Sequence, residues 1–201
     1  ASPYAAEQMR GAAVQKDIPE IPFATLITPT APIAAQNHGG RAKCLQRLVR
    51  LDLPVPCTVA LSFDAVHGIA EGQMPDLEAI LREFSEQALL CVRPSSEDPD
   101  WGGPGAVLNV GMNDARYVDL CDSLGQQAAT ALYLRFVQSY AVHVARLDPD
   151  VFDGVSDEGP EALSLVLQAY EAETDERFPQ DRGEQLAAVL RSMARAWEGT
   201  S

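Results

Sequence analysis

From Asp114 to the end of the chain, apolar residues recur at the spacing of an α-helix, and this feature limits the fold more than any other. Asp114 is predicted as a helix N-cap and Gly125 as the end of that helix. A second helix keeps one apolar face over residues 132–147, and a third begins at Pro160. The last helix carries an apolar stripe over residues 186–197. The second half of the chain is therefore predicted to be helical.

The first half carries short β-rich runs between turns rich in proline and glycine. Three of these runs are predicted as strands, at residues 23–28, 57–63 and 88–92. The last of them is apolar throughout, which is typical of a strand buried on both faces. One helix is predicted to end at Leu51 and another to begin at Pro75.

Together these patterns predict an α+β fold in three stretches. Residues 1–22 are predicted to form a loose polar arm, residues 23–114 a small mixed α/β part, and residues 115–201 a helical subdomain. A chain of 201 residues can bury roughly 70% of its unfolded surface, so a sizeable core is expected.

The charge of the chain is strongly negative but unevenly distributed. It has 29 acidic and 15 basic side chains, a formal net charge of −14, so nucleic acid and anionic membranes are not expected as partners. No acidic residue lies between Ile21 and Leu51. The same window holds four cations: Arg41, Lys43, Arg47 and Arg50. This basic block is the first place to look for a bound phosphate or carboxylate.

The cysteines and the longest uncharged stretch indicate the compartment. The four cysteines form no C-x-x-C pair, and they are interpreted as reduced thiols of a cytoplasmic protein. Residues 21–40 are uncharged but are interrupted by three prolines, so a membrane helix is not expected there. The three histidines are isolated and show no metal-ligand spacing with the cysteines, so no metal site is predicted.

The first candidate site is the run Gly39-Gly40-Arg41 at the start of a predicted helix. Two glycines let a ligand approach the backbone closely, and a helix N-terminus favours an anion. Arg41 shares a helical face with Leu45 and Leu48, so it is predicted to lie inward, either on a ligand or with its aliphatic stem on the core. The other three cations are predicted to lie on an exposed, solvated helix face.

Two further candidates follow the third predicted strand. Arg93 stands at its end, and ligands of open α/β sheets lie beyond the carboxyl ends of the strands. Gly102 belongs to a glycine-rich loop, residues 101–105, of the kind that can cover phosphates. The alternatives are an ordinary charged strand end and a mobile surface loop.

Six segments in register, over residues 36–200, carry a family resemblance. They are GGRAKCL (39–45), LPVP (53–56), VR (92–93), LNVGMND (108–114), YLRFVQ (133–138), and FPQD with EQL and Trp197 (178–197). They are similar to G-G-K-G-A-N-L, L-P-V-P, V-R-S-G-A, L-N-L-G-L-N-D, Y-R-R-F-I-Q and F-P-x-D-P-x-E-Q-L with a later S-W. In this order they resemble the amino-terminal nucleotide-binding region of pyruvate phosphate dikinase, with phosphoenolpyruvate synthase as a related enzyme.

The resemblance implies the front part of an ATP-grasp fold and ATP as the ligand. The family transfers a phosphoryl group from ATP, through a phosphohistidine on a swivelling domain, to pyruvate. The family's phosphate-contacting lysine falls at Arg41 and its two arginines fall at Arg93 and Arg135. A glycine of its phosphate loop falls at Gly102. The magnesium carboxylates, the phosphohistidine domain and the pyruvate domain would lie outside this chain, or on a separate subunit, so no turnover by this chain alone is expected.

The chain also departs from the family pattern. Ala42 replaces the glycine that follows the lysine in the first motif, Glu97 replaces an arginine, and the aspartate and threonine of the phosphate loop are missing. These changes support an alternative, a degenerate non-catalytic relative that acts as an anion-binding or protein-interaction module. A helical interaction module that keeps only the family's packing is the third possibility.

Overall fold

A computed structural model describes residues 22–98, 100–155 and 159–199, and in this part the fold is α+β, as predicted. The helices are α1 (Ala35–Arg50), α2 (Phe63–Ala70), α3 (Leu77–Leu81), α4 (Asp114–Leu124), α5 (Gln126–His143), α6 (Pro160–Thr174) and α7 (Arg182–Glu198), with a 3₁₀ helix at Pro149–Phe152. The strands are β1 (Ala24–Leu26), β2 (Val59–Leu61), β3 (Leu90–Val92) and β4 (Val107–Val110). The predicted arm, residues 1–22, lies outside the described residues except for Pro22.

The four strands form two separate antiparallel pairs, β1 with β2 and β3 with β4. The register between β3 and β4 shifts between Leu90 and Val92, and Asn109 at the shift has φ of 63°. The prediction of a third strand buried on both faces is wrong, because Cys91 is exposed. A strand in a two-stranded antiparallel pair leaves one face open, whereas helices cover both faces of a parallel sheet.

Capping residues explain most helix boundaries. Gly125, with φ of 88°, ends α4 and precedes α5, and Pro160 is the first residue of α6, as predicted. The N-cap of α4 is Asn113 rather than Asp114, since the Asn113 side chain accepts the Arg116 N–H. Ser62 accepts the Ala65 N–H in the same way. It therefore starts α2 where the sequence predicted that a strand continues.

The larger of the two buried clusters contains residues from β3 and β4 as well as from α5, α6 and α7, so it spans both predicted parts. At its centre the Phe178 ring contacts four aromatic rings edge-on or nearly so: Tyr133, Phe136, Tyr140 and Tyr170. Such pairs stabilise a core beyond the area they bury. A smaller cluster of Ile27, Ile33, Ala42 and Ala60 lies between α1 and the first strand pair. No helix in the described segments has the length and apolar character needed to cross a bilayer.

The Gln185 side chain, which is 0% exposed, joins the β4–α4 turn to α7. Its Oε1 accepts the Gly111 N–H at 2.8 Å, and its Nε2 donates to the carbonyl oxygens of Met112 and Pro179 at 2.9 and 2.6 Å. Gly111 has φ of 110° and lies against the Arg182 side chain, so this turn requires glycine. Buried backbone groups that would otherwise lack partners are satisfied here.

A second network joins α4, α5 and the segment before α7. The Tyr133 hydroxyl donates to Asp114 Oδ1 at 2.6 Å, and Gln180 Nε2 donates to the Tyr133 oxygen at 3.3 Å. Asn113 Nδ2 donates to the Gln180 carbonyl oxygen at 2.9 Å. Burial, followed by the bond to Asp114, raises the pKa of the Tyr133 hydroxyl above its usual range, so the phenol stays protonated. Three of the six family-like segments therefore meet in contacts that hold the fold.

Replacing Gln185 by methionine should lower the free energy of unfolding by about 3 kcal/mol. The change keeps the side-chain length but leaves Gly111 N–H and two carbonyl oxygens without this partner in a buried place. Urea unfolding followed by circular dichroism measures the loss. The matched control is Gln168→Met, on an exposed face of α6, which should change the free energy by less than about 0.5 kcal/mol. Equal effects of the two variants would contradict this account.

Candidate functional site

Helix α1 is interrupted at Gly39, where the backbone has φ of 84° and ψ of 165°. Only glycine adopts such a conformation without strain. A second helical segment follows from Gly40, and it places Arg41 in its first turn, where the helix favours an anion. The Arg41 side chain is exposed, so the prediction that it shares the inward face of Leu45 is wrong. The exposed guanidinium is therefore accessible to a ligand.

The segment after β3 lies directly against this interruption. Gly40 N–H donates to the carbonyl oxygen of Ser96 at 2.9 Å. A Cβ built on Gly39 would lie 2.8 Å from Ser95 Cβ and 2.8 Å from Ser96 N, which is closer than real Cβ atoms come. The glycines therefore admit a neighbouring backbone segment. We call the place formed by Gly39, Gly40, Ser95 and Ser96 the glycine–serine junction.

The junction joins two of the predicted binding segments. Arg93 stands two positions before Ser95, and its side chain is exposed. The expectation drawn from parallel sheets does not apply, since β3 pairs antiparallel with β4. The contact between Ser95 and Gly39 instead places the segment that carries Arg93 against the helix that carries Arg41. The structure thus brings together Gly39, Gly40 and the segment that carries Arg93.

Two buried polar atoms near the junction have no hydrogen-bond partner among the described residues: His38 Nε2 and Ser95 Oγ. His38 is 2% exposed, and its Nδ1 lies 3.2 Å from the Ala34 backbone nitrogen and 3.3 Å from the Ala34 carbonyl oxygen. Burial lowers the pKa of His38, and its hydrogen bond with the Ala34 backbone opposes this shift only in part. The imidazole is therefore neutral at pH 7.

Two of the four cations in the basic block have structural partners. Lys43 Nζ donates to the Ile33 carbonyl oxygen and to Gln46 Oε1, both at 2.9 Å, and Arg50 Nε donates to the Pro29 carbonyl oxygen at 2.7 Å. The prediction of a solvated face is wrong for Lys43, which is half-buried, whereas Arg50 is exposed although it also bonds to the turn that precedes α1. Arg47 is exposed, as expected. Arg41 remains as the exposed cation next to the junction.

The other two predicted residues lie apart from these contacts. Gly102 is exposed, with open space where a Cβ would stand, while Gly103 lies against the Trp101 ring. Arg135 is exposed on α5, and no hydrogen bond or ion pair between described residues joins it to the junction. Beside the Gly102 loop, Pro104 and Gly105 line a cavity of about 180 Å³. The structure therefore does not bring Gly102 or Arg135 into contact with Gly39.

Glu97 and Asp98 follow the junction directly and are both exposed. Their carboxylates oppose an anion that would approach Arg93. In the described part of the chain, no group of three or more His, Cys, Asp and Glu side chains is arranged to hold a metal ion. Arg41 and Arg93, both exposed, are the groups near the junction that can contact an anion.

Sequence reasoning missed two features of the site. His38 was treated as an isolated histidine, although it immediately precedes Gly39 and is buried. The Trp197 indole N–H donates to the Ser95 carbonyl oxygen at 3.0 Å, across 102 positions of sequence. For Ser95 and Ser96, the only feature of the sequence that points to the site is that they are small residues shortly after Val92-Arg93. Nothing in the spacing of apolar residues links Trp197 to Ser95.

No protein-family model matches this sequence, and no curated protein matches it. The resemblance to the dikinase region therefore stays a prediction. The geometry of the glycine–serine junction is the observation from which a function can be argued.

Replacing Gly39 by alanine should cost more stability than the same change at Gly72. Both glycines have positive φ, 84° and 97°, but Gly72 has nothing within 4 Å of a Cβ, whereas Gly39 meets Ser95 and Ser96. We expect about 1–2 kcal/mol for Gly72→Ala and about 3 kcal/mol or more for Gly39→Ala, measured by urea unfolding. Similar losses at both positions would show that the Ser95 contact has no energetic weight.

The buried His38 should make the protein less stable in mild acid. A histidine in an unfolded chain has a pKa of about 6.5, and the pKa of His38 in the folded protein is lower. As the pH falls, the unfolded state therefore takes up the proton first. The stability that depends on a neutral His38 is fully present above the unfolded-state pKa and is lost as the pH falls below it. Urea unfolding at about pH 7.5 and about pH 5.5 gives the acid loss, the decrease in the free energy of unfolding between the two conditions. This loss should be smaller for His38→Gln than for the wild type. His143→Gln, a change at an exposed position, should keep the wild-type acid loss. An unchanged acid loss in His38→Gln would rule out this origin.

Proposed function

We propose that this chain is the ATP-binding part of a phosphotransferase of the pyruvate phosphate dikinase type. Its α+β fold would be the front part of an ATP-grasp fold, and the nucleotide phosphates would bind at the glycine–serine junction. Arg41 and Arg93 would contact the phosphate oxygens, since phosphoryl transfer depends mainly on the placement of charge around the phosphates. Magnesium ligands and the phosphohistidine would come from other parts of such an enzyme.

The contact between Gly39 and Ser95 carries this proposal. It joins two segments, 39–41 and 93–96, that are more than fifty positions apart and that the resemblance assigns separately to phosphate binding. Each segment has one exposed arginine, and no acidic residue lies in the first turn of α1. Guanidinium groups recognise phosphate through several directed N–H donors. The four cysteines are free, which favours a reducing compartment such as the cytoplasm.

A second candidate, a non-catalytic anion-binding module, has a specific observation in its favour. The Gly40 N–H already donates to Ser96, so it is not available to a phosphate oxygen. Glu97 and Asp98 add two negative charges beside the arginines. A site of this kind would hold an anion by Arg41 and Arg93 alone, without selecting a nucleotide.

Magnesium–ATP should raise the melting temperature of the full chain. With a dissociation constant of about 10 μM, about 1 mM ATP stabilises the folded state by roughly 2.7 kcal/mol, a shift of roughly 5–10 °C for a chain of this size. Arg41→Ala and Arg93→Ala should each weaken binding about tenfold or more, because each removes a charged hydrogen-bond donor. Differential scanning fluorimetry measures the shift, with circular dichroism to check folding.

Arg47→Ala is the matched control, because Arg47 lies on the same helix and is exposed. It should keep the full ATP shift. Inorganic pyrophosphate separates the two candidates: an anion-binding module would be stabilised by it as much as by magnesium–ATP. No shift with ATP in the wild type, or equal shifts in all three arginine variants, would refute the proposed function.

A further inference from the structure

The indole of Trp197 reaches the glycine–serine junction from the last turn of α7. Its Nε1–H donates to the Ser95 carbonyl oxygen at 3.0 Å, and the ring is buried. The next carbonyl, that of Ser96, accepts the Gly40 N–H at 2.9 Å. Ser95 is thus bonded to α7, which follows it in the sequence, and Ser96 is bonded to α1, which precedes it.

The Trp197 ring is itself fixed by α2. It stacks on Phe63, with centroids 5.2 Å apart and an angle of 28° between the planes, and it meets His67 edge-on at 5.4 Å. His67 Nδ1 also pairs with the carboxylate of Glu198, the residue after Trp197. Contacts from α2 therefore hold the end of α7 and, with it, the position of the indole N–H.

The segment 93–96 depends on this support for its conformation. No hydrogen bond or ion pair between described residues fixes the Arg93 guanidinium, which is exposed. The position of the Arg93 Cα therefore depends on the backbone of the residues after it. That backbone is bonded to α1 through Ser96 and to α7 through Ser95.

We propose that Trp197 is a positioning residue for phosphate binding. Its indole N–H holds the Ser95 carbonyl so that segment 93–96 keeps the conformation in which Arg93 and Arg41 bind one anion. This inference rests on the proposed function, and it adds that the end of the helical half sets the affinity of a site in the first half. For a ligand that needs this conformation, the apparent dissociation constant equals the intrinsic one divided by the fraction of time that the segment spends in it.

The hydrogen bond of Trp197 can be separated from the general stability of the core. Trp197→Phe keeps an aromatic ring against Phe63 and His67 but removes the N–H donor. Val166→Ala, at a buried position of α6, removes core packing and keeps the donor with its ring contacts. One ordinary hydrogen bond corresponds to about a fivefold change in an equilibrium, so Trp197→Phe should raise the dissociation constant for magnesium–ATP about fivefold. Val166→Ala should lower the stability to urea but leave the dissociation constant within about twofold.

Isothermal titration calorimetry of the full chain with magnesium–ATP gives the affinities, and urea unfolding gives the stabilities. Amide hydrogen exchange of residues 93–98 adds a readout without ligand, and Trp197→Phe should speed it while Val166→Ala should not. Wild-type affinity in Trp197→Phe would overturn the inference, as would losses of affinity that follow stability in both variants. A wild type that does not bind ATP would refute the proposed function itself.

Discussion

The backbone contact between the first helix and the segment after the third strand is the constraint on which the proposed site depends. Gly39 leaves helical geometry, the chain resumes the helix at Gly40, and the space that a side chain would fill is occupied by Ser95. The small cluster of Ile27, Ile33, Ala42 and Ala60 is separate from the larger core, so contacts of this kind connect the first strand pair and α1 to the rest. Gly39 and Gly40 therefore form this backbone contact whether or not a ligand binds.

The motifs of the helical half have a mainly structural use. Gln185 satisfies three backbone groups, while Tyr133, Asp114 and Gln180 bond to one another around the start of α4. A sequence could keep these residues for packing alone, without any phosphate ligand. The segments that resemble the family therefore differ in use: those around Asn113, Tyr133 and Gln180 hold the fold, whereas the proposed binding depends on the segments at Gly39 and Arg93.

Local signals predicted the structure better than long-range ones. Gly125 and Pro160 mark helix ends because their conformational limits act within a few residues. Helix α2 was missed because the strand pattern runs into Ser62, and only the bond from Ala65 N–H shows that a helix begins there. The bond of Lys43 to the turn before α1 was missed because its acceptor there is the backbone carbonyl oxygen of Ile33, whose position does not depend on side-chain type. Gly39 and Arg93 were each predicted from their own surroundings, but the bond of Trp197 to Ser95 depends on the packing of α2 against α7.

Net charge does not explain how such a site would attract an anion. At physiological ionic strength charges are screened over about 8 Å, so most of the 29 acidic side chains count for little at any one point. Four exposed charged residues lie in or next to the segments that form the junction: Arg41, Arg93, Glu97 and Asp98. Their charges sum to zero. Attraction by field alone is therefore weak here, and affinity has to come from directed hydrogen bonds of correctly placed guanidinium groups. Directed bonds fail when their donors move, and for this reason the conformation of segment 93–96 matters more to binding than the total charge of the protein.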